Sequence, residues 1–186
     1  MDQTSSPEDP RRGDAHAHDG DGPVQALCRA LRDAGEFTGV GAALLRPDIG
    51  LRDELGATDA TFHRLAETQF TLWEGPGPEA FDAGHPVVGN VRTDARRWPL
   101  LTAEVGHQGL AAQTHVVLPL TWGGATIGLV GAYRADAGPV PDADLHLLST
   151  YGRAIAATVA RLRARIDPDE VAEADDAPVA IAVGMV

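Results

Sequence analysis

The stretch Leu110–Tyr133 reads LAAQTHVVLPLTWGGATIGLVGAY and contains no Asp, Glu, Lys or Arg, although much of the surrounding chain is rich in charge. Such a run must be buried. Gly123 and Gly124 at its centre argue against a continuous apolar helix, because paired glycines favour a turn. The runs on either side are suited to strands. The stretch therefore predicts a hairpin of two strands, Thr114–Trp122 and Ala125–Tyr133, joined by a two-residue turn.

Counting outward from the turn predicts the register and which side chains share a face of the sheet. One predicted face is large and apolar, and pairs Trp122 with Ala125, Leu120 with Ile127, Leu118 with Leu129, and Val116 with Gly131. The other face has smaller side chains, and pairs Thr121 with Thr126, Pro119 with Gly128, Val117 with Val130, and His115 with Ala132. Both faces are partly apolar, so we expect the hairpin at the centre of a sheet covered on two sides. The small-residue face leaves room for a ligand.

The chain has 186 residues, which suits one domain with its own core. Its formal net charge of −12 is concentrated near the ends: residues 1–22 hold six acidic and two basic side chains, and residues 167–186 hold six acidic and none basic. We expect residues 1–22 to be a disordered acidic tail and residues 167–186 to be an acidic linker. The central part lacks a basic patch, so this chain as given is not expected to bind nucleic acid directly.

A single cysteine, Cys28, rules out an internal disulfide, and no apolar segment follows a basic region at the N-terminus. These features predict a cytoplasmic protein without a membrane partner. Cys28 falls on the apolar stripe of a helix that begins at Pro23 and ends before Gly35, which predicts a buried structural thiol. His16 and His18 lie in the acidic tail, where a flexible chain offers no fixed geometry, so no metal site is predicted.

Further strands are predicted over Val40–Leu45, Leu51–Ala57 and Pro86–Val91. Asp59 is expected to cap one helix and Asp94 to cap another, because aspartate accepts hydrogen bonds from the first turn of a helix. Between Glu74 and Gln108, short helices alternate with a strand, and Gly84 ends the first of them. We expect this segment to form a lid over the sheet, where small-molecule pockets are common.

A long helix is predicted from Asp142 to about Ile166, with acidic side chains at its start. Its apolar residues alternate steps of three and four, a rhythm typical of coiled coils: Leu145, Leu148, Gly152, Ile155, Val159, Leu162 and Ile166. This pattern predicts a homodimer with an interface formed by Leu148, Ile155, Val159 and Leu162. The alternative is one broad stripe that faces the protein's own sheet.

Several segments follow one another in an order typical of one family: Gln69–Pro76, Gly84–Val88, Arg97–Pro99, Leu118–Leu120, Gly123–Leu129 and Asp142–Leu148. On these segments, residues 23–166 resemble a GAF domain, a sensory module related to PAS domains. The resemblance implies an α+β fold in which helices flank an antiparallel β-sheet and the N- and C-terminal helices pack on one face. It also implies a sensory or regulatory role without catalysis.

The segments look most like GAF domains that precede an ANTAR domain, a small RNA-binding module that causes transcription antitermination in bacteria. Ala182–Val186 resembles the opening of an ANTAR segment, so we expect this module to be absent or truncated in the chain. Trp73–Gly77 lacks the cysteine that this family usually has there. The chain has no lysine and only Cys28 as a thiol, so it does not match GAF domains that bind cyclic nucleotides, attach bilins or reduce methionine sulfoxide.

The resemblance and the hairpin faces together suggest a ligand pocket between the small-residue face and the lid. Its expected residues are Trp73, Phe81, Trp98, Leu101, His115, Val117, Gly128 and Val130. No nucleophile stands beside a base, so no catalytic residue and no enzyme activity are predicted, and no cofactor is indicated. Trp73 occupies a position where the family usually has glycine. The alternative function is therefore a structural dimerisation module in which Trp73 fills the pocket and no ligand binds.

Overall fold

The computed structural model describes residues 22–166, in which a five-stranded antiparallel sheet carries helices on both faces. The strands are β1 Gly39–Arg46, β2 Leu51–Ala57, β3 Val87–Asn90, β4 Thr114–Trp122 and β5 Ala125–Arg134. The helices are α1 Pro23–Ala34, α2 Ala60–Leu72, α3 Pro76–Ala83, α4 Pro99–His107 and α5 Asp142–Ile166, with a 3₁₀ turn at Pro47–Ile49. The predicted α+β class is confirmed. The two acidic tails and Ala182–Val186 lie outside the described residues.

The β4–β5 hairpin lies at the centre of the sheet, as its sequence predicts. The strand order is β2-β1-β5-β4-β3, so each hairpin strand has a neighbour on both sides. Gly123 has a φ of 57° and Gly124 a φ of 80°. Positive φ at both central positions is the requirement of a two-residue hairpin turn, and glycine meets it without strain.

The predicted register holds only next to the turn. Trp122 pairs with Ala125 and Thr121 with Thr126, but a bulge follows and leaves Ile127 as the extra residue. The other six predicted pairs are therefore wrong. The observed pairs are Leu120 with Gly128, Pro119 with Leu129, Leu118 with Val130, Val117 with Gly131, Val116 with Ala132, and His115 with Tyr133. A shift of one residue exchanges the two faces of β5 along the rest of its length.

Helices α1 and α5 cover one face of the sheet, which confirms that the terminal helices share a face. This core includes Val24, Cys28, Leu31, Val40, Val116, Leu118, Val130 and Ile155. Helices α2, α3 and α4 cover the other face, where the core includes Phe62, Leu65, Val87, Trp98, Leu101, Val117 and Tyr133. Across residues 22–166, we find no helix with the length and apolar character that crossing a bilayer requires.

The two predicted aspartate caps have different outcomes. Asp59 caps α2 as expected, since its carboxylate accepts from the Phe62 backbone N–H at 2.9 Å. Asp94 does not cap α4. That helix begins at Pro99 without a side-chain cap, and the Asp94 carboxylate instead accepts from the Asn90 backbone N–H at 2.9 Å. Asp94 thus closes the turn after β3, and the helix starts later than predicted.

The long helix α5 runs to Ile166 as predicted, but its apolar seam faces inward. Leu148 and Ile155 are fully buried and Val159 is 2% exposed, all within the core shared with α1 and the sheet. Placing these three residues at an interface with a partner was therefore wrong, because the protein's own sheet and α1 use that stripe. Leu162 is the one predicted interface residue that is exposed, at 38%. Dimerisation itself stays a prediction.

Candidate functional site

A cavity lies between the sheet and α2, on the face opposite α1 and α5. Its apolar lining includes Leu45, Phe62, Ala66, Phe70, Pro78, Val117 and Leu129. Polar side chains reach it from Arg52, Gln69 and His115. The cavity volume is about 40 Å³. A single water needs roughly 10–15 Å³ and the pockets of drug-sized ligands measure roughly 300–1,000 Å³, so this site suits a few non-hydrogen atoms.

Two glycines form the floor of the cavity. Gly41 on β1 pairs directly with Gly131 on β5, and both line the cavity. A Cβ at Gly41 would overlap the Phe62 ring, and a Cβ at Gly131 would lie 3.0 Å from His115 Nε2. Because these positions lack side chains, the phenyl and imidazole rings lie close over the sheet. The rings meet edge to face, with centroids 6.0 Å apart.

A hydrogen-bond chain holds His115 in place. The Gly77 backbone N–H, in the first turn of α3, donates to Gln69 Oε1 at 2.8 Å. With its oxygen engaged in this way, the Gln69 amide turns its nitrogen toward His115 Nδ1, 3.2 Å away, and toward the Leu65 carbonyl, 3.3 Å away. Both amide hydrogens and the oxygen of Gln69 are thus used. The chain connects α3, α2 and β4.

This arrangement fixes the protonation state of His115. Its Nδ1 accepts from Gln69, so in the neutral ring Nε2 carries the hydrogen. Burial lowers the pKa of His115 to about 3, which keeps the ring neutral near pH 7. Among the described residues, Nε2 has no hydrogen-bond partner, although His115 is only 2% exposed. His115, which lines the cavity, therefore carries a buried N–H donor without a protein acceptor.

Arg52 lines another wall of the cavity, and its charge is part of an ion pair. Arg52 Nη2 donates to Glu54 Oε2 at 2.7 Å, and His63 Nδ1 lies 2.8 Å from the same oxygen. Partial burial would raise the pKa of Glu54, but the hydrogen bonds and the charges of its two partners hold it below the ordinary value. Glu54 is therefore ionised near neutral pH. The Arg52 charge is compensated within the protein.

Trp73 lies at the rim of the cavity, in an unusual backbone conformation. With a φ of 48°, it is the only non-glycine residue of the described range in the left-handed region, and it ends α2. Its indole Nε1 donates to Asp82 Oδ2 at 3.2 Å. Its ring meets those of Phe70 and Phe81 edge to face, each with centroids 5.9 Å apart. These contacts hold a large ring where a glycine would leave the rim open.

The structure brings only part of the predicted site together. Trp73, His115 and Val117 line the cavity, and Phe81 touches Trp73 from outside. The remaining four predicted residues do not line it: Trp98, Leu101, Gly128 and Val130. Trp98 and Leu101 pack in the core beneath α4. Gly128 and Val130 face α1 and α5, because the bulge in the hairpin reverses the faces of β5.

Helix α2 provides most of the cover, in place of the predicted Glu74–Gln108 lid. From that segment, only Gly77 and Pro78 line the cavity. Sequence reasoning also missed Gln69 and Arg52. Gln69 could have been found, since it is a polar residue on the buried stripe that Phe62 begins. No comparable signal points to Arg52.

Cys28 is remote from this chemistry. It lies in α1 on the opposite face of the sheet, fully buried, as the helical pattern predicts. Burial, with a smaller effect from the charge of Glu54, raises the pKa of the thiol to about 12. The thiol is therefore protonated and unreactive near neutral pH. Within residues 22–166, no group of three or more His, Cys, Asp or Glu side chains could hold a metal ion.

The chain matches no protein-family model and no curated protein sequence, but its structure is similar to several solved ones. One is a GAF domain/HD domain protein from Geobacter sulfurreducens, with 14% identity, a TM-score of 0.56, and coverage of 75% of this chain and 91% of that one. Another is the GAF domain of a phosphoenolpyruvate-protein phosphotransferase from Coxiella burnetii, with 11% identity, a TM-score of 0.57, and coverage of 76% and 83%.

A third similar structure belongs to an enzyme. It is the type II free methionine-R-sulfoxide reductase from Thermoplasma acidophilum, with 18% identity, a TM-score of 0.54, and coverage of 74% of this chain and 89% of that one. The same fold thus occurs in proteins named for GAF domains and in a reductase. Structural similarity at such low sequence identity establishes the fold and leaves the activity open. Residues 22–166 have the fold of GAF domains.

Proposed function

We propose that residues 22–166 form a non-catalytic sensory domain that binds a small molecule in the cavity beneath α2. The supporting observation is the Nε2–H group of His115, a residue that lines this cavity: the group is buried and has no protein acceptor. A buried donor left unsatisfied costs about 1–3 kcal/mol. A ligand with an acceptor at this position would remove that cost. The domain would then distinguish its ligand from apolar molecules of the same size.

The hydrogen-bond chain would couple ligand binding to structural elements outside the cavity. His115 is joined through Gln69 to Gly77 at the start of α3, so a shift of the imidazole would act on α2 and α3 together. The next residue along β4, Val116, faces the opposite side and packs in the core with α5. Movement of β4 would therefore also reach α5, the last described element of the chain.

The regulatory context that we propose is transcription antitermination in the cytoplasm. Its support is the resemblance of the motifs between Gln69 and Leu148 to GAF domains that precede ANTAR modules. A homodimer would suit such a role, and Leu162 near the end of α5 is exposed where a partner helix would contact it. An antitermination reporter in the host, with and without this chain, tests this context; an unchanged read-through would contradict it.

A second candidate function is a structural module without a ligand. Two observations favour it: the cavity is only about 40 Å³, and Trp73 packs between Phe70 and Phe81 at its rim. In this account, the indole takes the place of a ligand. Trp73→Gly would then open the rim without changing what the protein retains from its host.

Native mass spectrometry of protein purified from its host distinguishes the two candidates. The matched variants are Gly131→Ala, which adds a methyl group 3.0 Å from His115 Nε2, and Gly106→Ala, where an added methyl meets nothing within 4 Å. The sensory proposal expects a retained small molecule in the wild type and in Gly106→Ala, and its loss in Gly131→Ala. Absence of a retained molecule from all three proteins would favour the structural module.

A further inference from the structure

We infer that the ligand of this cavity is a small, uncharged molecule whose acceptor atom accepts a hydrogen bond from His115 Nε2–H. This inference rests on the proposed ligand-binding function and specifies its chemical class. It depends on three features of the cavity: the direction of the unsatisfied hydrogen bond, the charge balance of the walls, and the space above the glycine floor.

The direction of the hydrogen bond selects an acceptor. The Gln69 amide nitrogen donates to Nδ1 of His115, so Nε2 is the protonated atom and cannot accept. The other polar atoms of Gln69 are engaged by Gly77 and Leu65. A carbonyl, an ether or an unprotonated ring nitrogen would satisfy Nε2–H. A group that can only donate would face another donor.

The charge balance selects a neutral acceptor. Arg52 is the one Arg, Asp or Glu among the described residues that line the cavity, and its guanidinium is already paired with Glu54 at 2.7 Å. Glu54 is further stabilised by His63 on its outer side. An anion in the cavity would therefore compete with Glu54 for the charge of Arg52, and it would lose its hydration against a mostly apolar lining. Burial of an uncompensated charge is much more costly than burial of a neutral group.

The space above the floor selects a small, mostly apolar molecule. Apart from Arg52, Gln69 and His115, the surfaces around the floor come from Phe62, Ala66 and other apolar side chains. The volume of about 40 Å³ admits only a few non-hydrogen atoms. The ligand would thus expose one acceptor to His115 and present carbon to the remaining walls.

Three probes with four non-hydrogen atoms each separate these features. Acetone is neutral and has an acceptor, isobutene has nearly the same shape without one, and acetate has acceptors with a negative charge. Each is titrated into wild-type protein while the methyl signals of Val117 and Leu129, which line the cavity, are followed by NMR. We expect acetone to bind about tenfold more tightly than either analogue, since one satisfied buried donor is worth roughly that factor.

The variant His115→Phe keeps an aromatic ring and removes the donor, so the preference for acetone over isobutene should fall to about one. The wild-type comparison stands even if this variant does not fold. Isobutene or acetate binding as tightly as acetone would overturn the inferred ligand class, while leaving a cavity that binds small molecules. If none of the three probes shifts the two methyl signals, both this inference and the proposed function at this cavity are wrong.

Discussion

The Gln69 side chain donates a hydrogen bond to His115 Nδ1 over 3.2 Å, and this bond connects α2 to β4 across 46 positions of the chain. It determines which imidazole nitrogen carries the hydrogen. Without it, either nitrogen could carry the hydrogen, and the polarity of the site would be undefined. The chemistry of the cavity therefore depends on a buried amide that fixes the tautomer of His115.

Replacement of Gln69 by leucine tests how much this amide contributes to the stability of the folded protein. Gln69→Leu leaves the buried Gly77 N–H and His115 Nδ1 without their present partners. We expect the free energy of unfolding to fall by about 2–4 kcal/mol, as measured by urea denaturation. The matched control is Gln113→Leu, where one exposed hydrogen bond to the Ala135 carbonyl is lost and the change should stay below about 1 kcal/mol. Equal losses in both variants would contradict this role for Gln69.

The pH dependence of stability reports the burial of His115. The pKa of His115 falls from the ordinary 6.5 to about 3 in the folded protein. Between these two pH values, His115 binds a proton in the unfolded chain but not in the folded one. The stability that this group contributes is therefore lost as the pH falls from 6.5 toward 3. Between pH 6.5 and 4.5, we expect a loss of about 2 kcal/mol.

Urea unfolding at pH 6.5, 5.5 and 4.5 measures this loss, with His115→Phe as the control. The variant should lack this part of the pH dependence, because phenylalanine does not titrate. The lowered pKa of Glu54 affects both proteins alike and acts mainly near and below its ordinary value of 4.5. Parallel curves for wild type and variant would show that His115 is not buried in its neutral form.

Two glycines on β5 should respond differently to alanine because of the bulge in the hairpin. A Cβ at Gly128 would clash with the Ala43 backbone carbonyl, whereas a Cβ at Gly131 would meet His115 and Val117 side-chain atoms at 3.0 and 3.4 Å. We expect Gly128→Ala to lower the free energy of unfolding by about 3 kcal/mol and Gly131→Ala by about 1 kcal/mol. Thermal or urea denaturation measures both. A larger loss in Gly131→Ala than in Gly128→Ala would contradict the bulge and would favour the register that direct counting from the turn predicts.

Substitutions in α5 separate the core of the protein from a partner interface. Val159 is buried in the core with α1, so Val159→Glu should lower the free energy of unfolding by about 3 kcal/mol or more. Leu162 is exposed, so Leu162→Glu should change the stability of an isolated chain by less than about 0.5 kcal/mol. Light scattering after size exclusion shows whether Leu162→Glu converts a dimer to a monomer. A wild type that is monomeric at tens of micromolar would refute the dimer.

The hairpin turn, the start of α2 and the two terminal helices could be predicted from the sequence, because each depends on residues close together in the chain. Gly123 and Gly124 require a turn, Asp59 caps α2, and the terminal helices follow from apolar periodicity. The register was predicted only near the turn. One extra residue, Ile127, moves every later side chain of β5 to the other face, and no local pattern marks the bulge.

The site was predicted in part for the same reason. His115 and Val117 lie on β4, where counting from the turn places them on the correct side of the sheet, while Gly128 and Val130 inherit the error in β5. Gln69 was available as a polar residue on an apolar stripe. Its significance appears only when α2 is placed over β4, because the hydrogen bond joins residues far apart in the chain.

The protonated nitrogen of His115 is the central claim, because both the proposed function and the inferred ligand class depend on it. It can be measured by correlating the imidazole carbon-bound protons with both ring nitrogens in ¹⁵N-labelled protein at pH 7. The account predicts a neutral ring with the hydrogen on Nε2 and an unprotonated Nδ1. A hydrogen on Nδ1 with Nε2 unprotonated, or a doubly protonated ring at pH 7, would contradict it.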